Sequence, residues 1–178
     1  MTLASRQNEL MSLEQWRALG EDTSTRSELQ EGVLIVSPSP SPRHQRAIMR
    51  LGVDLHAVLP AEYDLIPEVD VVLDSAFPST VRRPDLVLTR RATGPLVARD
   101  VVLVVEILSP GTRRVDLVLK RHEYAEAGIT NYWIVDVDDR PRLLPLTLVD
   151  GEYIGDWVTG TYTSNVPFPV TIDLDALA

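Results

Sequence analysis

The chain contains a single lysine, Lys120, among its seventeen Lys and Arg residues. It stands fourteen residues after Glu106, which lies inside the aliphatic run of residues 101–108. A guanidinium stays protonated and binds carboxylates or phosphates in a fixed fork, whereas a partly buried ammonium is a compact charge that can orient or deprotonate water. Lys120 is therefore a candidate catalytic group. The alternative is a surface ion pair with Asp116, one helical turn earlier.

Glu106 requires a positive partner, because an unpaired ionised carboxylate inside an aliphatic strand is energetically costly. A second carboxylate, Asp85, lies in a segment that is predicted to form a neighbouring strand. Two carboxylates on adjacent strands suit an oxygen-preferring ion such as Mg²⁺. The residue types leave two interpretations open: a metal site of Asp85 and Glu106, or a core ion pair of Glu106 with Arg82 or Arg83.

The net charge of -9 argues against nonspecific binding to polyanions, but the charge is unevenly distributed. Residues 81–121 carry nine Lys or Arg against four Asp or Glu. The candidates for nucleic-acid binding within this segment are Arg82, Arg83, Arg113 and Arg114. Solvated surface arginines are the alternative explanation.

The length of 178 residues and the hydrophobic content of 44% predict one domain over residues 12–178, after a ragged N-terminus of residues 1–11. The absence of cysteine excludes disulfide and thiolate chemistry. Residues 1–11 lack the basic-then-apolar order of a signal peptide, and no apolar run approaches the roughly 20 residues of a membrane span. A cytoplasmic location is therefore expected.

Several elements are predicted to position the candidate residues. Ser12 and Gln15 form a capping box for a short helix that ends at Gly20, and Ser41 caps a longer helix that begins at Pro42. Two hairpins are predicted, one within residues 28–36 and one at 150–151. Extended segments are expected at residues 65–73, 84–89, 101–108, 131–137 and 167–174. A further helix spans residues 112–128, capped by Thr112, with an apolar stripe of Val115, Val118, Leu119, His122 and Ala125. These elements predict an α/β (α+β) fold with a mixed sheet flanked by helices.

The order of motifs closely resembles the Uma-two family of predicted restriction endonucleases, over about residues 12–155. The motifs are Glu28-Leu-Gln-Glu-Gly32, Ser37-Pro-Ser-Pro-Ser-Pro-Arg-His44, Arg83-Pro-Asp-Leu86, Val105-Glu-Ile-Leu-Ser-Pro110, Arg113-Arg-Val-Asp116, Lys120, Tyr124-Ala-Glu-Ala-Gly128 and Tyr132-Trp-Ile-Val-Asp136. That family belongs to the PD-(D/E)xK nuclease superfamily. The resemblance implies a restriction-endonuclease-like fold and a metal-dependent DNA endonuclease.

The resemblance also implies the roles of individual residues. Asp85 and Glu106 would bind Mg²⁺ or Mn²⁺, with the backbone carbonyl of Ile107 as a third ligand. Lys120 would take the role of the superfamily lysine, because Leu108 occupies that lysine's usual position two residues after the glutamate. Glu28 and His44 match recurrent family positions and are secondary candidates, Glu28 for the metal and His44 for a phosphate. Their alternatives are an exposed strand residue and a surface helix histidine.

The expected partners are DNA and a second copy of the chain in a homodimer, without a membrane. Two other classes of function remain open at this point. The same fold could serve as a catalytically silent nucleic-acid-binding or dimeric interaction module, or it could hydrolyse another phosphoester.

Overall fold

The computed structural model describes residues 10–20, 25–90 and 94–178. The predicted ragged terminus of residues 1–11 lies mostly outside these ranges. Met11, its last residue, is buried and donates its amide to the carbonyl of Gly32 over 2.7 Å. Within the described ranges, no helix is long and apolar enough to cross a lipid bilayer.

The described chain consists mainly of short strands, with three α-helices among them. The helices are α1 (Leu13–Arg17), α2 (Pro42–Ala57) and α3 (Lys120–Glu126). A π-helical turn, Val115–Leu119, leads directly into α3, and 3₁₀ turns occupy Ala98–Asp100 and Leu174–Leu177. The strands are β1 (Arg26–Gln30), β2 (Val33–Ser37), β3 (Tyr63–Pro67), β4 (Val71–Asp74), β5 (Thr80–Arg82), β6 (Leu86–Arg90), β7 (Leu96–Val97), β8 (Val101–Ile107), β9 (Asn131–Asp136), β10 (Arg142–Val149), β11 (Glu152–Ile154), β12 (Val158–Thr159), β13 (Thr161–Ser164) and β14 (Val170–Asp173).

The larger sheet has the strand order β11-β10-β9-β8-β6-β3, and β12 pairs with β10. In this sheet β8 runs parallel to β9 and antiparallel to β6. A smaller sheet has the order β2-β1-β5-β4-β7, and β13 pairs with β14. The predicted mixed sheet with flanking helices is therefore confirmed. The central place of β8 agrees with its sequence, which is apolar on both faces.

Strand alternation sorts the residues of β6 and β8 onto the two faces of the larger sheet. Leu86 and Val105 pack in the same cluster as the inner face of α2. Val104 packs on the opposite face with Tyr124 of α3. Because successive side chains of a strand point to opposite faces, Glu106 shares the face of Val104 and points toward α3.

The predicted turns and the predicted caps at Ser12 and Ser41 are confirmed. Glu31 and Gly32 have positive φ angles of 45° and 78°, and Asp150 and Gly151 have 51° and 85°, as expected for two-residue hairpin turns. Ser12 and Gln15 form the capping box of α1. The hydroxyl of Ser41 accepts the amide of His44 over 3.2 Å at the start of α2, where Pro42 is the first helical residue.

The prediction of one extended segment over residues 65–73 is wrong. This stretch contributes β3 to the larger sheet and β4 to the smaller one. Pro67 ends β3, since proline has no amide to continue a ladder. Glu68 then turns the chain with a φ angle of 48°.

The predicted apolar stripe of the helix at residues 112–128 is also wrong. Val118 is 62% exposed, and the side chain of His122 is 70% exposed. The buried residues at helical spacing are Asp116, Lys120 and Tyr124. Polar groups of neighbouring elements pair with these three side chains and offset the cost of burying them. The π-helical turn that includes Asp116 is a distortion that occurs frequently at functional sites.

Candidate active site

The register of β6 and β8 brings Asp85 and Glu106 together. The antiparallel ladder pairs Leu86 with Val105. Asp85, which precedes Leu86, therefore lies opposite Glu106, which follows Val105. The Ile107 amide donates a hydrogen bond to Asp85 Oδ2 over 2.6 Å. Asp85 is 1% exposed and Glu106 is 2% exposed, and both line one cavity of about 550 Å³. Two of the predicted site residues therefore share a buried position at the end of the ladder.

The positive partner of Glu106 is Lys120. Lys120 Nζ lies 2.7 Å from Glu106 Oε1, and the Tyr124 hydroxyl donates to the same oxygen over 3.0 Å. Burial, together with the charges of Asp85 and Asp116, raises the pKa of Glu106 to about 8, although Lys120 acts in the opposite direction. The partner of Glu106 is therefore a buried lysine, and not Arg82 or Arg83 as in the alternative interpretation of the sequence.

Three carboxylates surround the ammonium of Lys120. Besides Glu106, Glu28 Oε1 lies at 3.2 Å and Asp116 Oδ1 at 3.4 Å. Burial opposes the charge, but Glu106, Glu28 and Asp116 raise the pKa of Lys120 above its usual value. The interpretation of Lys120 as a surface residue is therefore wrong. Because it keeps its proton, Lys120 can orient a ligand or stabilise negative charge, but it is not suited to act as a base.

Asp116 is part of the site, although the sequence indicated it only as a surface partner of Lys120. The Thr112 hydroxyl donates to Asp116 Oδ2 over 2.8 Å, and the Tyr132 hydroxyl donates to the Asp116 carbonyl over 2.9 Å. Thr112 therefore binds the Asp116 side chain instead of capping a backbone amide as predicted. These contacts hold the π-helical turn that presents Lys120.

Arg26 is a second residue that the sequence did not single out. Its Nη1 lies 2.8 Å from Asp85 Oδ1, and its Nη2 donates to the carbonyl of Arg83 over 2.7 Å. His44 Nε2 approaches the same Asp85 oxygen to 3.2 Å. Burial would raise the pKa of Asp85, but His44 and Arg26 lower it.

Asp85 Oδ1 and both ring nitrogens of His44 are buried, and none has an aligned hydrogen-bond partner within residues 10–20, 25–90 and 94–178. The contacts of Arg26 and His44 with this oxygen are thus close approaches without hydrogen-bond geometry. Buried polar atoms in this condition are unusual in folded proteins and often mark an ion, a water or a functional role.

The two secondary candidates are both buried, so their interpretations as surface residues are wrong. Glu28 Oε2 accepts Arg82 Nη1 over 2.9 Å, and Glu28 Oε1 accepts the amide of Arg83 over 3.0 Å. His44 lies in the first turn of α2 and points at Asp85. Both residues line the same cavity as Asp85 and Glu106.

The prediction of Arg82 as a nucleic-acid contact is wrong. Arg82 is 1% exposed, and its Nε and Nη2 donate to the two carboxylate oxygens of Glu123 over 2.7 and 2.6 Å. Its remaining terminal nitrogen, Nη1, binds Glu28. Arg82 therefore ties β1 to α3 and holds the surroundings of Lys120 in place.

The other three predicted arginines lie nearer the surface. Arg114 is exposed, and Arg83 is partly exposed while it binds Asp70 Oδ1 over 2.7 Å. Arg113 binds Asp136 Oδ2 over 2.7 Å and is also partly exposed. These three arginines are absent from the lining of the cavity that contains Asp85.

The donor atoms at the site fit a hard divalent cation. Within the described residues, no group of three or more His, Asp and Glu side chains has the geometry of a metal site. Mg²⁺ does not require one, because it keeps several waters and commonly takes only one or two protein carboxylates. Asp85 supplies a buried carboxylate oxygen without an aligned partner, and Glu106 supplies a second carboxylate in the same cavity.

Comparison with known proteins identifies similar sequences and folds. The sequence model of the Uma2 family, described as "Putative restriction endonuclease", matches residues 10–171. A solved structure described as "a putative nuclease belonging to DUF820 from Anabaena variabilis" is similar with a TM-score of 0.71 and 16% sequence identity. The similarity covers 94% of this chain and 98% of that one, which shows a shared fold. None of the curated proteins is similar enough to this chain to match it.

Proposed function

The chain belongs to the Uma2 family, described as "Putative restriction endonuclease", and from this we propose that it is a metal-dependent endonuclease that hydrolyses phosphodiester bonds in DNA. The observation that carries the proposal is the convergence of Asp85, Glu106 and Lys120 on one cavity, with Lys120 Nζ 2.7 Å from Glu106 Oε1. Phosphodiester hydrolysis needs a positioned water and neutralisation of charge at phosphorus. These three side chains can contribute to both.

Asp85 and Glu106 would hold Mg²⁺ or Mn²⁺, with the carbonyl of Ile107 as a third ligand. When bound, such an ion supplies Lewis-acid stabilisation of the phosphate and lowers the pKa of a bound water. The high pKa of Glu106 supports this role, since a divalent cation would balance its ionised form in a buried place. Asp85 is further oriented by the amide of Ile107, which fixes its other oxygen.

Lys120 acts as a fixed positive charge. Its contacts with Glu28, Glu106 and Asp116 favour the ammonium, so the lysine orients the attacking water and stabilises negative charge at the scissile phosphate. Glu28 and Asp116 are positioning residues that direct Nζ. Arg82 supports this arrangement, because its guanidinium binds both Glu28 and Glu123.

The DNA backbone would enter the cavity between two loops. Residues 37–41 of the Ser-Pro loop and residues 109–112 both line the cavity. Arg114 is exposed shortly after the second loop and can contact a neighbouring phosphate. His44, at the start of α2 in the same cavity, can also reach a phosphate oxygen. A homodimer would supply two such centres, one for each DNA strand.

The test is cleavage of supercoiled plasmid by the purified chain in Mg²⁺ or Mn²⁺. Wild type should nick or linearise the plasmid only with the metal, and Asp85→Asn should abolish cleavage. Asp139→Asn, the same change at an exposed position, should cleave like wild type. DNA binding in Ca²⁺ without cleavage in any metal would favour the catalytically silent module. Equal cleavage by Asp85→Asn and wild type would exclude this active site.

A further inference from the structure

Arg26 reaches Asp85 from the smaller sheet. It begins β1, opposite Ser37 of β2, and its guanidinium spans to the end of the β6–β8 ladder. There Nη1 lies 2.8 Å from Asp85 Oδ1, and the Arg83 carbonyl accepts from Nη2 over 2.7 Å. The side chain of Arg26 is only 17% exposed, so this contact is part of the site and not a surface pair.

The two oxygens of Asp85 have different surroundings. Oδ2 accepts the Ile107 amide, so its position is fixed by the sheet. Oδ1 has only the close, unaligned approaches of Arg26 and His44. The oxygen that is free to change partner is therefore the oxygen that Arg26 contacts.

The proposed metal needs the same oxygen. A guanidinium at 2.8 Å and a divalent cation bound to Oδ1 would bring two positive centres within a few ångströms in a buried cavity, where their repulsion is only weakly screened. Lys120 does not create the same conflict at Asp85, because its contacts are with Glu28, Glu106 and Asp116.

We propose that Arg26 is the counter-ion of Asp85 in the metal-free protein, and that it competes with the divalent metal for Asp85 Oδ1 and leaves this oxygen when the metal binds. The inference rests on the proposed function, since it concerns the same metal site. It assigns Arg26 a role in setting the metal affinity, so that the buried carboxylate is never left without a cation.

Glu68 is a second carboxylate within reach of the displaced guanidinium. Glu68 Oε1 lies 3.9 Å from Arg26 Nη1, and the side chain of Glu68 is 42% exposed. On leaving Asp85, the guanidinium of Arg26 would turn toward this more solvated carboxylate. From there the guanidinium can bind a phosphate of the substrate with its fork of donors.

The experiment measures Mn²⁺ binding by isothermal titration calorimetry for wild type, Arg26→Gln and Arg121→Gln. Arg26→Gln should bind Mn²⁺ at least about tenfold more tightly, because the competing charge is gone. Arg121→Gln is the matched control, since Arg121 binds the Tyr153 carbonyl outside the cavity, and its affinity should stay within about twofold of wild type. In the absence of metal Arg26→Gln should melt below wild type, and saturating Mn²⁺ should close the gap.

The outcomes separate the inference from the proposed function. Asp85→Asn is included in the same titration. If it loses Mn²⁺ binding while wild type and Arg26→Gln bind equally, the metal site stands and the competition is excluded. If Asp85→Asn binds as tightly as wild type, or if wild type and Arg26→Gln both fail to bind, the metal site and the inference fail together. Binding by Arg26→Gln alone supports the competition.

A measurement on wild type covers the case in which Arg26→Gln does not fold. The Arg26 Nε–Hε resonance, assigned by its loss in Arg26→Lys, is followed during titration with diamagnetic Mg²⁺. Displacement of the guanidinium from Asp85 should shift this resonance in step with metal binding. A resonance that stays in place up to saturation would overturn the proposal.

Discussion

Lys120 Nζ donates a buried hydrogen bond to Glu106 Oε1 over 2.7 Å, and two further carboxyl groups, from Glu28 and Asp116, lie within 3.4 Å of the same ammonium. If all three carboxyl groups were ionised, Lys120 together with Arg82, which binds Glu28 and Glu123, would leave an excess of negative charge beside Asp85. A buried excess of this kind is unfavourable unless the carboxyl groups take up protons or a cation binds. The pair therefore links the only lysine of the chain to the proposed metal site.

Replacement of Lys120 should abolish metal-dependent cleavage while metal binding persists. Lys120→Ala removes the ammonium that stabilises the transition state, and Lys120→Arg places a longer, planar guanidinium where the buried pocket fits a compact charge. We expect both variants to cleave plasmid at least about 10²-fold more slowly than wild type. The rates are compared in single-turnover assays, with circular dichroism to verify the fold.

Arg121→Ala is the matched control for this prediction, since it removes a neighbouring charge that binds the Tyr153 carbonyl outside the cavity. It should retain most of the activity. Near-normal cleavage by Lys120→Ala, with Asp85→Ala inactive in the same assay, would return Lys120 to a structural role.

Divalent metal should stabilise the fold through Glu106. Mg²⁺ or Mn²⁺ at 100 times its dissociation constant should raise the free energy of unfolding by about 2.7 kcal/mol. Glu106→Gln should remove this gain, and Glu126→Gln, the same change on the exposed side of α3, should keep it. Urea unfolding with and without metal measures the difference. Equal gains in wild type and Glu106→Gln would exclude Glu106 as a ligand.

The pH dependence of stability in EDTA should carry the signature of Glu106. Its pKa is raised to about 8 in the fold, chiefly by burial, so between pH 4.5 and 8 the folded state holds a proton that the unfolded state has lost. The stabilisation is complete below the unfolded pKa and is lost as pH rises through 8. Relative to Glu106→Gln, wild type should lose up to about 1.4 kcal/mol per pH unit in this window. Parallel curves for the two proteins would contradict the shift.

Exposed and buried arginines should respond differently to replacement. Arg114→Ala should weaken DNA binding in Ca²⁺ and reduce the slope of log affinity against log salt by about 1, as expected for one phosphate contact. Arg82→Ala should instead destabilise the fold by about 3–5 kcal/mol, because Glu28 and Glu123 lose their buried partner. Fluorescence anisotropy and urea unfolding separate the two effects. A stable Arg82→Ala protein with an Arg114-like binding defect would reverse this assignment.

The sequence predicted the local structure well where single residues impose it. The capping box of Ser12 and Gln15 and the hairpin at Asp150-Gly151 depend on a few neighbouring residues, so the sequence could indicate them. The central strand around Glu106 was recognisable because its residues are apolar on both faces of the strand. The division of residues 65–73 between two sheets was not, since it depends on long-range pairing of strands β3 and β4.

The candidate site could be predicted only in part, because the sequence shows the local context of a residue but not its long-range contacts. Asp85, Glu106 and Lys120 stood out as charges in unusual local contexts. Arg26 and Asp116 did not, because their importance arises from where the smaller sheet and the π-helical turn place them. Arg82 was misjudged, since its sequence neighbours do not reveal that Glu28 and Glu123 enclose it.

The central claim is that Asp85 and Glu106 hold a divalent ion beside Lys120, and crystals soaked in Mn²⁺ test it most directly. Anomalous density should appear between the two carboxylates, within about 2.5 Å of Asp85 Oδ1 and of an oxygen of Glu106, with Arg26 moved off Asp85. If Mn²⁺ at saturation binds elsewhere or leaves no peak there, while Arg26 remains on Asp85 and Lys120 on Glu106, the claim is contradicted and the cluster is a structural ion-pair network.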